Sequence, residues 1–316
     1  MTQKYLQTRS ANNCLEEAKN LPKPKMLFSE LWNENELCIL FSDTNLGKSS
    51  LAVQIADSIS KGVPINGFKM EAEKQPVLYF DAEMSDLQFA NRYGNYQFAN
   101  SFNRTVLNQE EIIQSGSVQL LLQNIVQEAM HVNAKIIVID NLSYLKGQLS
   151  PVPLLQLLMR IKKIASLSFL ILAHVPKLKI GKPLTRNDIS GSKIIADFVD
   201  SIFAIGESRQ NKSLRYIKQL KARDTEIIYD QSNVILVEHR KTDILRFEKV
   251  GYGLEEDHLL SDSKTRFRQP QPQDFVILDL LKQNPDLSLS KIAAKAGDGI
   301  NKMKVKRVRD KFKAQL

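Results

Sequence analysis

The stretch from Phe41 to Ser50, F-S-D-T-N-L-G-K-S-S, constrains the fold more than any other part of the chain. A run that is typical of a buried strand precedes it, and a helical pattern follows from residue 51. A strand, a tight loop, Gly-Lys-Ser and a helix together are the arrangement of a phosphate-binding loop. Backbone N–H groups at the helix N-terminus point at the phosphates, and the helix dipole favours negative charge there. We expect Lys48 to reach the β- and γ-phosphates of ATP, and the Ser49 hydroxyl to hold Mg²⁺.

The loop departs from the usual pattern G-x-x-x-x-G-K-[ST] at its first position, where Ser42 replaces glycine. Asn45 stands where a second glycine is frequent, and Asn is one of the residues that best tolerate a positive φ. An ordinary strand-to-helix turn is the alternative interpretation of this stretch. The candidate nucleotide-binding residues of the loop are Ser42, Asn45, Gly47, Lys48, Ser49 and Ser50.

Composition indicates a soluble globular protein, because 43% of the 316 residues are apolar and 25% are charged. The length suits one large domain and one small one. The longest apolar runs are too short to span a bilayer, and the first ten residues lack the apolar core of a signal peptide. The two cysteines form no disulfide framework. We therefore expect a cytoplasmic protein with reduced thiols and no membrane partner.

Apolar runs and helical patterns alternate from about residue 27 to residue 251. Continuous apolar strands that alternate with helices predict an α/β fold, with a mostly parallel central sheet covered on both faces. The predicted division is an arm and linker over 1–26, an ATPase domain over 27–251, a linker over 252–272 and a small helical domain over 273–316.

Acidic and polar residues follow three of the predicted strands, where ligands bind in such sheets. Asp140 ends I-I-V-I-D and is a candidate Mg²⁺ carboxylate, although a turn or helix cap is the alternative. Glu83, in F-D-A-E-M-S, could orient and polarise an attacking water, and its alternative is a surface carboxylate. His174 ends the next strand and could contact the γ-phosphate, or it could be a structural histidine.

Lys221 and Arg223 form a K-x-R pair on or after a later strand. Residues two apart on an extended segment point the same way. The pair could therefore reach the phosphate of a nucleotide held by an adjacent subunit, where Arg stabilises the transferring phosphoryl group. Two exposed cations without a chemical role are the alternative.

The C-terminal segment carries nearly all of the excess charge. Residues 264–316 contain 13 Lys and Arg residues against 5 Asp and Glu residues, a net charge of +8 out of the chain's +9. Two helical patterns are followed by a third, in which Ile300, Met303, Val308 and Phe312 are apolar. This pattern favours a helix-turn-helix or winged-helix domain that binds DNA, and a small protein-docking domain is the alternative. The candidate DNA-binding residues are Lys302, Lys304, Lys306, Arg307 and Arg309.

In combination, these blocks resemble the RecA-like ring ATPases, specifically the replicative helicases of the DnaB and plasmid RepA type. The blocks that carry the resemblance are S-D-T-N-L-G-K-S-S, V-L-Y-F-D-A-E-M-S-D-L-Q-F-A-N-R, I-I-V-I-D-N-L-S-Y-L, D-I-S-G-S-K-I-I-A-D-F-V-D-S-I-F and K-A-R. The resemblance implies a RecA-like fold and a homo-oligomeric ring, of which a hexamer is one form. It also implies that Glu83 is the catalytic carboxylate, Asp140 the Mg²⁺ carboxylate, and Lys221 and Arg223 fingers that act in trans. His174 stands where DnaB relatives often carry Gln.

Two functions follow from these patterns. The first is an ATP-hydrolysing motor on DNA, such as a helicase. A plasmid or mobile-element protein fits this function better than a DnaB replacement, because no segment resembles the primase-binding domain of DnaB. The second is a DNA-binding ATP switch, such as a loader, partition or regulatory factor, that does not unwind DNA. A small-molecule kinase is a third option, but it leaves the C-terminal segment without a role.

Overall fold

The computed structural model describes residues 8–106, 118–141, 151–175, 181–189, 192–259, 272–285, 287–297 and 300–311. Within these ranges two short strands pair near the N-terminus, and nine further strands form one sheet. In chain order the eleven strands are β1 Met26–Phe28, β2 Trp32–Asn33, β3 Leu37–Ser42, β4 Val77–Asp81, β5 Phe102–Val106, β6 Ile136–Asp140, β7 Ser168–His174, β8 Ser201–Glu207, β9 Leu214–Lys221, β10 Val234–Lys241 and β11 Leu245–Gly253.

The large sheet has the strand order β11-β10-β9-β8-β3-β7-β6-β4-β5. The six strands from β8 to β5 run parallel to one another, whereas β9, β10 and β11 pair antiparallel at the other edge. The predicted α/β class with a mostly parallel sheet is therefore confirmed.

Helices follow most of the parallel strands. Those of the larger part of the chain are α1 Ala11–Lys19, α2 Lys48–Lys61, α3 Asp86–Tyr93, α4 Val118–His131, α5 Pro151–Ala165, α6 Ser192–Phe198 and α7 Glu256–Leu259. Among the residues that the structure describes, no helix is long and apolar enough to cross a lipid bilayer.

Alternate residues of the central strands face opposite sides of the sheet, and each side has its own core. In β3, Leu37, Ile39 and Phe41 pack into one core, whereas Cys38 and Leu40 pack into the other. Every residue of β3, β4 and β6 is buried, as expected for parallel strands covered on both faces. This burial fixes the carboxyl ends of these strands along one edge of the sheet.

The sheet region extends beyond the predicted boundary at residue 251. Strand β11 runs to Gly253, and α7 follows it. Between them the buried Glu255 forms an ion pair with Lys218 of β9, at 2.5 Å, and accepts a hydrogen bond from the Leu184 N–H. Residues 252–259, predicted as the start of the linker, are therefore packed onto the sheet region. At the other end α1 has no buried residue.

The C-terminal helical unit consists of α8 Pro272–Gln283, α9 Leu289–Ala296 and α10 Lys302–Lys311. It has a separate core, made of Ile277, Leu278, Leu281, Ile292, Ala293, Val305 and Val308. Met303, one of the apolar residues of the third helical pattern, does not face this core, because its side chain is 71% exposed. Val305 occupies the core instead, one turn before Val308. Phe312 lies outside the described residues.

Candidate functional site

The phosphate loop, residues 41–50, joins the end of β3 to the start of α2. Gly47 is the N-cap of α2 with φ of 91°, and Asn45 has φ of 63°. The expectation that Asn45 adopts a positive φ is thus confirmed. Ser42 is the last residue of β3, with extended backbone and its hydroxyl bonded to the Asp43 carbonyl at 2.9 Å. A side chain therefore fits at this position, where the usual pattern has glycine. Ser50 is buried within the first turn of α2.

Gly47 lies against two aromatic rings from the antiparallel edge of the sheet. A Cβ atom at this position would lie 2.8 Å from Phe247 and 2.9 Å from His239. Those two rings stack on each other at 4.5 Å. Gln54 of α2 holds the same segment, because its amide exchanges hydrogen bonds with the backbone N–H and carbonyl of Phe247. The loop can therefore keep its shape only with glycine at position 47.

Lys48 extends from α2 across the carboxyl edge of the sheet. Its ammonium group donates a hydrogen bond to the Ala173 carbonyl, at 3.1 Å, next to His174 at the end of β7. Burial lowers the pKa of Lys48, and the nearby carboxylates of Asp140 and Glu83 partly oppose that change. Lys48 is thus placed where the loop and the ends of β6 and β7 meet.

Asp140 is fully buried at the end of β6. The Tyr79 hydroxyl donates to its Oδ2 at 2.8 Å, whereas its Oδ1 has no hydrogen-bond partner. Burial raises the pKa of Asp140 to about 6, although the hydroxyls of Ser49 and Tyr79 act in the opposite direction. An unpartnered carboxylate oxygen near the Ser49 hydroxyl fits a site for Mg²⁺, which prefers oxygen ligands and keeps several waters. No group of three or more metal-binding side chains occurs in the described ranges, so phosphate and water oxygens would complete such a site.

Glu83 lies beside the ends of β6 and β7. Its Oε1 is 3.0 Å from His174 Nε2 and also accepts a hydrogen bond from the side-chain amide of Asn141. The same amide is 2.8 Å from His174 Nε2. The structure therefore brings Glu83 and His174 together, as predicted from their positions at strand ends.

Asn141 is the residue of this group that sequence reasoning missed. It directly follows Asp140 and is fully buried. The rule that identified Asp140, a polar residue at the end of a buried strand, applies to Asn141 equally well. Asp81, in contrast, forms an ion pair with Arg104 and accepts hydrogen bonds from the backbone N–H groups of Glu83 and Met84.

Lys221 and Arg223 lie at the opposite end of the sheet from the phosphate loop. Lys221 pairs with Ile202 at the start of β8, whereas Ser42, where the loop begins, pairs with Ile205 near the end of β8. Within one chain the two cations thus cannot reach the phosphate loop. Lys221 donates to the carbonyls of Ala196 and Val199. Arg223 forms an ion pair with the buried Asp200, at 2.9 Å.

A cavity of about 310 Å³ opens beside the phosphate loop, on the side of β8 and β9. Residues 43–46 of the loop form one wall, and Glu207, Arg209 and Arg215 contribute charged groups to the others. The Arg215 Nε is buried without a hydrogen-bond partner, and burial lowers the pKa of this guanidinium. The cavity therefore offers donors and an acceptor next to the loop.

Helix α10 carries the candidate DNA-binding residues. Asn301 caps its N-terminus by accepting a hydrogen bond from the Lys304 N–H, at 2.9 Å. Lys302 and Lys306 are exposed, whereas Lys304 and Arg309 are half-buried. The side chain of Arg307 lies outside the described part of the chain.

In a comparison with known proteins, residues 6–151 match the family model AAA_25, which is described as an AAA domain. No curated protein matches the chain. Among solved structures, a KaiC-like protein from the hyperthermophilic archaeon Pyrococcus horikoshii OT3 is 16% identical, with a TM-score of 0.47, and the alignment covers 69% of this chain and 91% of that one. The AAA match includes the phosphate loop, Glu83 and Asp140. Together with the observed sheet, it supports a P-loop ATPase domain of RecA-like fold.

Proposed function

We propose that this chain is an ATP-hydrolysing motor that acts on DNA as a homo-oligomeric ring. One observation carries the proposal: Lys48, Asp140, Asn141, Glu83 and His174 converge at the carboxyl edge of the sheet, beside a loop with the shape that phosphates require. A cation, an Mg²⁺ carboxylate and a further carboxylate are the parts that nucleoside triphosphate hydrolysis needs.

The roles of the residues follow from their chemistry. Lys48 and the N–H groups at the start of α2 bind and orient the phosphates. Ser49 and Asp140 would hold Mg²⁺, which would supply neutralising charge at the phosphates. Glu83 takes or orients the proton of the attacking water. Asn141 and His174 hold the Glu83 carboxylate, and in this proposal His174 also reports the state of the γ-phosphate.

The cavity beside the loop supports ATP rather than a smaller phosphate compound as the substrate. Its volume of about 310 Å³ suits a nucleoside, and its position next to residues 43–46 suits one whose phosphates lie in the loop. Arg215 offers a buried donor there.

The ring and the DNA enter the proposal through two other features. Lys221 and Arg223 lie too far from the phosphate loop of their own chain to act there. If they act as fingers, they must therefore act on a nucleotide that a neighbouring subunit binds. The C-terminal helical unit has its own core and exposes Lys302 and Lys306 of α10, whose charges suit the phosphates of DNA.

ATP turnover with and without DNA tests the proposal, alongside the molar mass in ATP and Mg²⁺. We expect Mg²⁺-dependent hydrolysis, stimulation by DNA and an oligomer. Lys48→Ala should abolish turnover, whereas Lys74→Ala, at an exposed lysine away from the loop, should not change it. A wild-type protein that binds no ATP would refute the proposal.

The second candidate is a DNA-binding ATP switch that does not unwind DNA. The separate core of the C-terminal helical unit favours it, because such a unit can bind a site without a ring around the strand. Strand-displacement assays separate the two functions. ATP-dependent site binding without displacement would favour the switch over the motor.

A further inference from the structure

We propose that Arg104 is a positioning residue that holds the turn carrying Glu83. This inference rests on the proposed function, because it gives Glu83 its part in ATP hydrolysis. Arg104 lies on β5, the edge strand, and its side chain is only 14% exposed. It does not touch the phosphate loop, and no motif in the sequence singles it out.

Arg104 joins three parts of the segment that follows β4. Its Nε donates to Asp81 Oδ2 at 3.0 Å, and one terminal nitrogen donates to the Met84 carbonyl at 2.6 Å. The other terminal nitrogen forms an ion pair with Asp86, at 2.5 Å. The guanidinium also lies 4.6 Å from the centre of the Phe89 ring. One side chain thus fixes the end of β4, the turn and the first part of α3.

Asp81 connects Arg104 to the backbone of Glu83. While Oδ2 accepts from Arg104, Oδ1 accepts from the backbone N–H of Glu83 at 3.1 Å and of Met84 at 2.9 Å. The Asp81 side chain is fully buried, so this geometry has little freedom. The backbone of Glu83 is therefore anchored to Arg104 through one residue, Asp81.

The far end of the turn is fixed independently. Ser85 and Gln88 form a capping box at the start of α3, in which each side chain accepts a hydrogen bond from the other's backbone N–H. Arg104 and the capping box together fix the backbone of the turn, and from that position the Glu83 side chain contacts Asn141 and His174. A displacement of about 1 Å in such a group can cost on the order of 10²-fold in rate.

Only arginine satisfies this site. Its planar fork presents donors in several directions at once, whereas the ammonium group of lysine is a single point charge. Arg104→Lys keeps the charge and most of the volume but cannot make all three contacts. It is therefore the informative variant, and Arg9→Lys is its control, because Arg9 forms an exposed ion pair with Glu17 in α1.

The first measurement is hydrogen exchange of the peptide over residues 82–86, which does not depend on turnover. In Arg104→Lys we expect the Glu83 and Met84 amides to exchange at least about tenfold faster, because their acceptor Asp81 is no longer held. Exchange in β3 and β6 should not change, and Arg9→Lys should match the wild type throughout. Unchanged exchange over 82–86 would overturn the inference.

The second measurement separates positioning from a general loss of structure. In Arg104→Lys we expect kcat to fall about 10- to 100-fold while KM for ATP changes less than about threefold. In a Glu83→Gln background, the same change should lower kcat no further, because Arg104 acts through Glu83. A proportional rise in KM, or a kcat equal to that of the wild type, would refute the positioning role.

The two failures are distinguishable. A wild-type protein without ATP turnover would refute the proposed function, and with it the catalytic consequence of Arg104. An active wild type whose Arg104→Lys variant keeps full turnover would refute the inference alone.

Discussion

Asp140 combines full burial with one oxygen that accepts no hydrogen bond, which is costly for an ionised carboxylate. Burial accordingly raises its pKa to about 6, from an ordinary value of about 4. A divalent cation at Oδ1 would remove that cost by favouring the ionised form.

Asp140→Asn should change how stability depends on pH. Because the pKa is raised in the native state, the native protein binds a proton that the unfolded chain has released between about pH 4 and pH 6. The Asp140 contribution to stability is therefore present below about pH 4 and is lost as the pH rises through about 6, by on the order of 2 kcal/mol. The stability of the variant relative to the wild type should therefore rise as the pH increases from about 4 to about 6 and then level off.

Urea unfolding from pH 4 to pH 8, without nucleotide or Mg²⁺, measures this difference. The fluorescence of Trp32, which is fully buried in the sheet region, reports on the domain that contains Asp140. Glu16→Gln removes an exposed carboxylate of α1 and should leave the pH profile unchanged. A constant difference between Asp140→Asn and the wild type across the range would contradict the raised pKa.

Residues at strand ends were the part of the site that the sequence could predict. Asp140, Glu83 and His174 follow apolar runs, and parallel strands bring such ends to one edge. Arg104 had no comparable signal, because its importance depends on contacts with Asp81 at the end of β4 and with Asp86 at the start of α3. Such contacts depend on side-chain direction in the folded sheet, which a local pattern does not contain.

At the scale of elements, α10 shows how one helix serves two purposes. Val305 and Val308 face the core of the C-terminal helical unit, whereas Lys302 and Lys306 are exposed. The sequence alternates basic and apolar residues so densely that the choice between Met303 and Val305 for the core could not be made from it. The three-helix arrangement itself was predictable from helical spacing and the turn residues between helices.

Replacing both Lys302 and Lys306 with alanine should weaken DNA binding without loss of the fold. If each lysine contacts one phosphate, the slope of log affinity against log salt concentration should fall by about 2. Affinity should fall about uniformly across sequences, because phosphate contacts carry no sequence information. Fluorescence anisotropy with labelled duplex at several salt concentrations provides the measurement.

The matched control removes the same charge from the larger domain. Lys74→Ala with Lys163→Ala changes two exposed lysines outside the C-terminal helical unit. This variant should keep the wild-type salt slope. If the two double variants lost equal DNA affinity, the net charge of the protein, rather than the position of the lysines on α10, would determine binding.

The sheet illustrates a limit of prediction at the same scale. The parallel strands β3, β4, β6 and β7 were predictable as continuous apolar runs, since both of their faces are buried. Strand β11 was not predicted, because most of its residues are only half-buried at the edge of the sheet and form no continuous apolar run. Its position is set by pairing with β10 and by contacts of Phe247 with Gln54 and Gly47, which are almost 200 residues away in the chain.

At the scale of the whole molecule, the sheet separates two sets of functional candidates. The phosphate loop and its partners occupy the carboxyl edge of the parallel strands, and Lys221 and Arg223 occupy the opposite end. Arg223 is held there by Asp200, whose other oxygen binds Lys162 and the Leu37 N–H. Asp200 thus keeps two partners when Arg223 is replaced, so Arg223→Ala should fold.

This separation predicts complementation between two inactive variants. Lys48→Ala and Arg223→Ala should each lack turnover, but in a ring a subunit with intact Lys48 can lie beside one with intact Arg223. With random mixing in equal amounts, about a quarter of the interfaces would hold both intact residues. The mixture should therefore hydrolyse ATP much faster than the summed rates of the two variants measured separately.

Mixing Lys48→Ala with the Lys48→Ala/Arg223→Ala double variant is the control, because no interface in it has an intact phosphate loop. If the first mixture shows no more turnover than this control, although molar mass confirms mixed assemblies, Arg223 does not act on a neighbouring nucleotide.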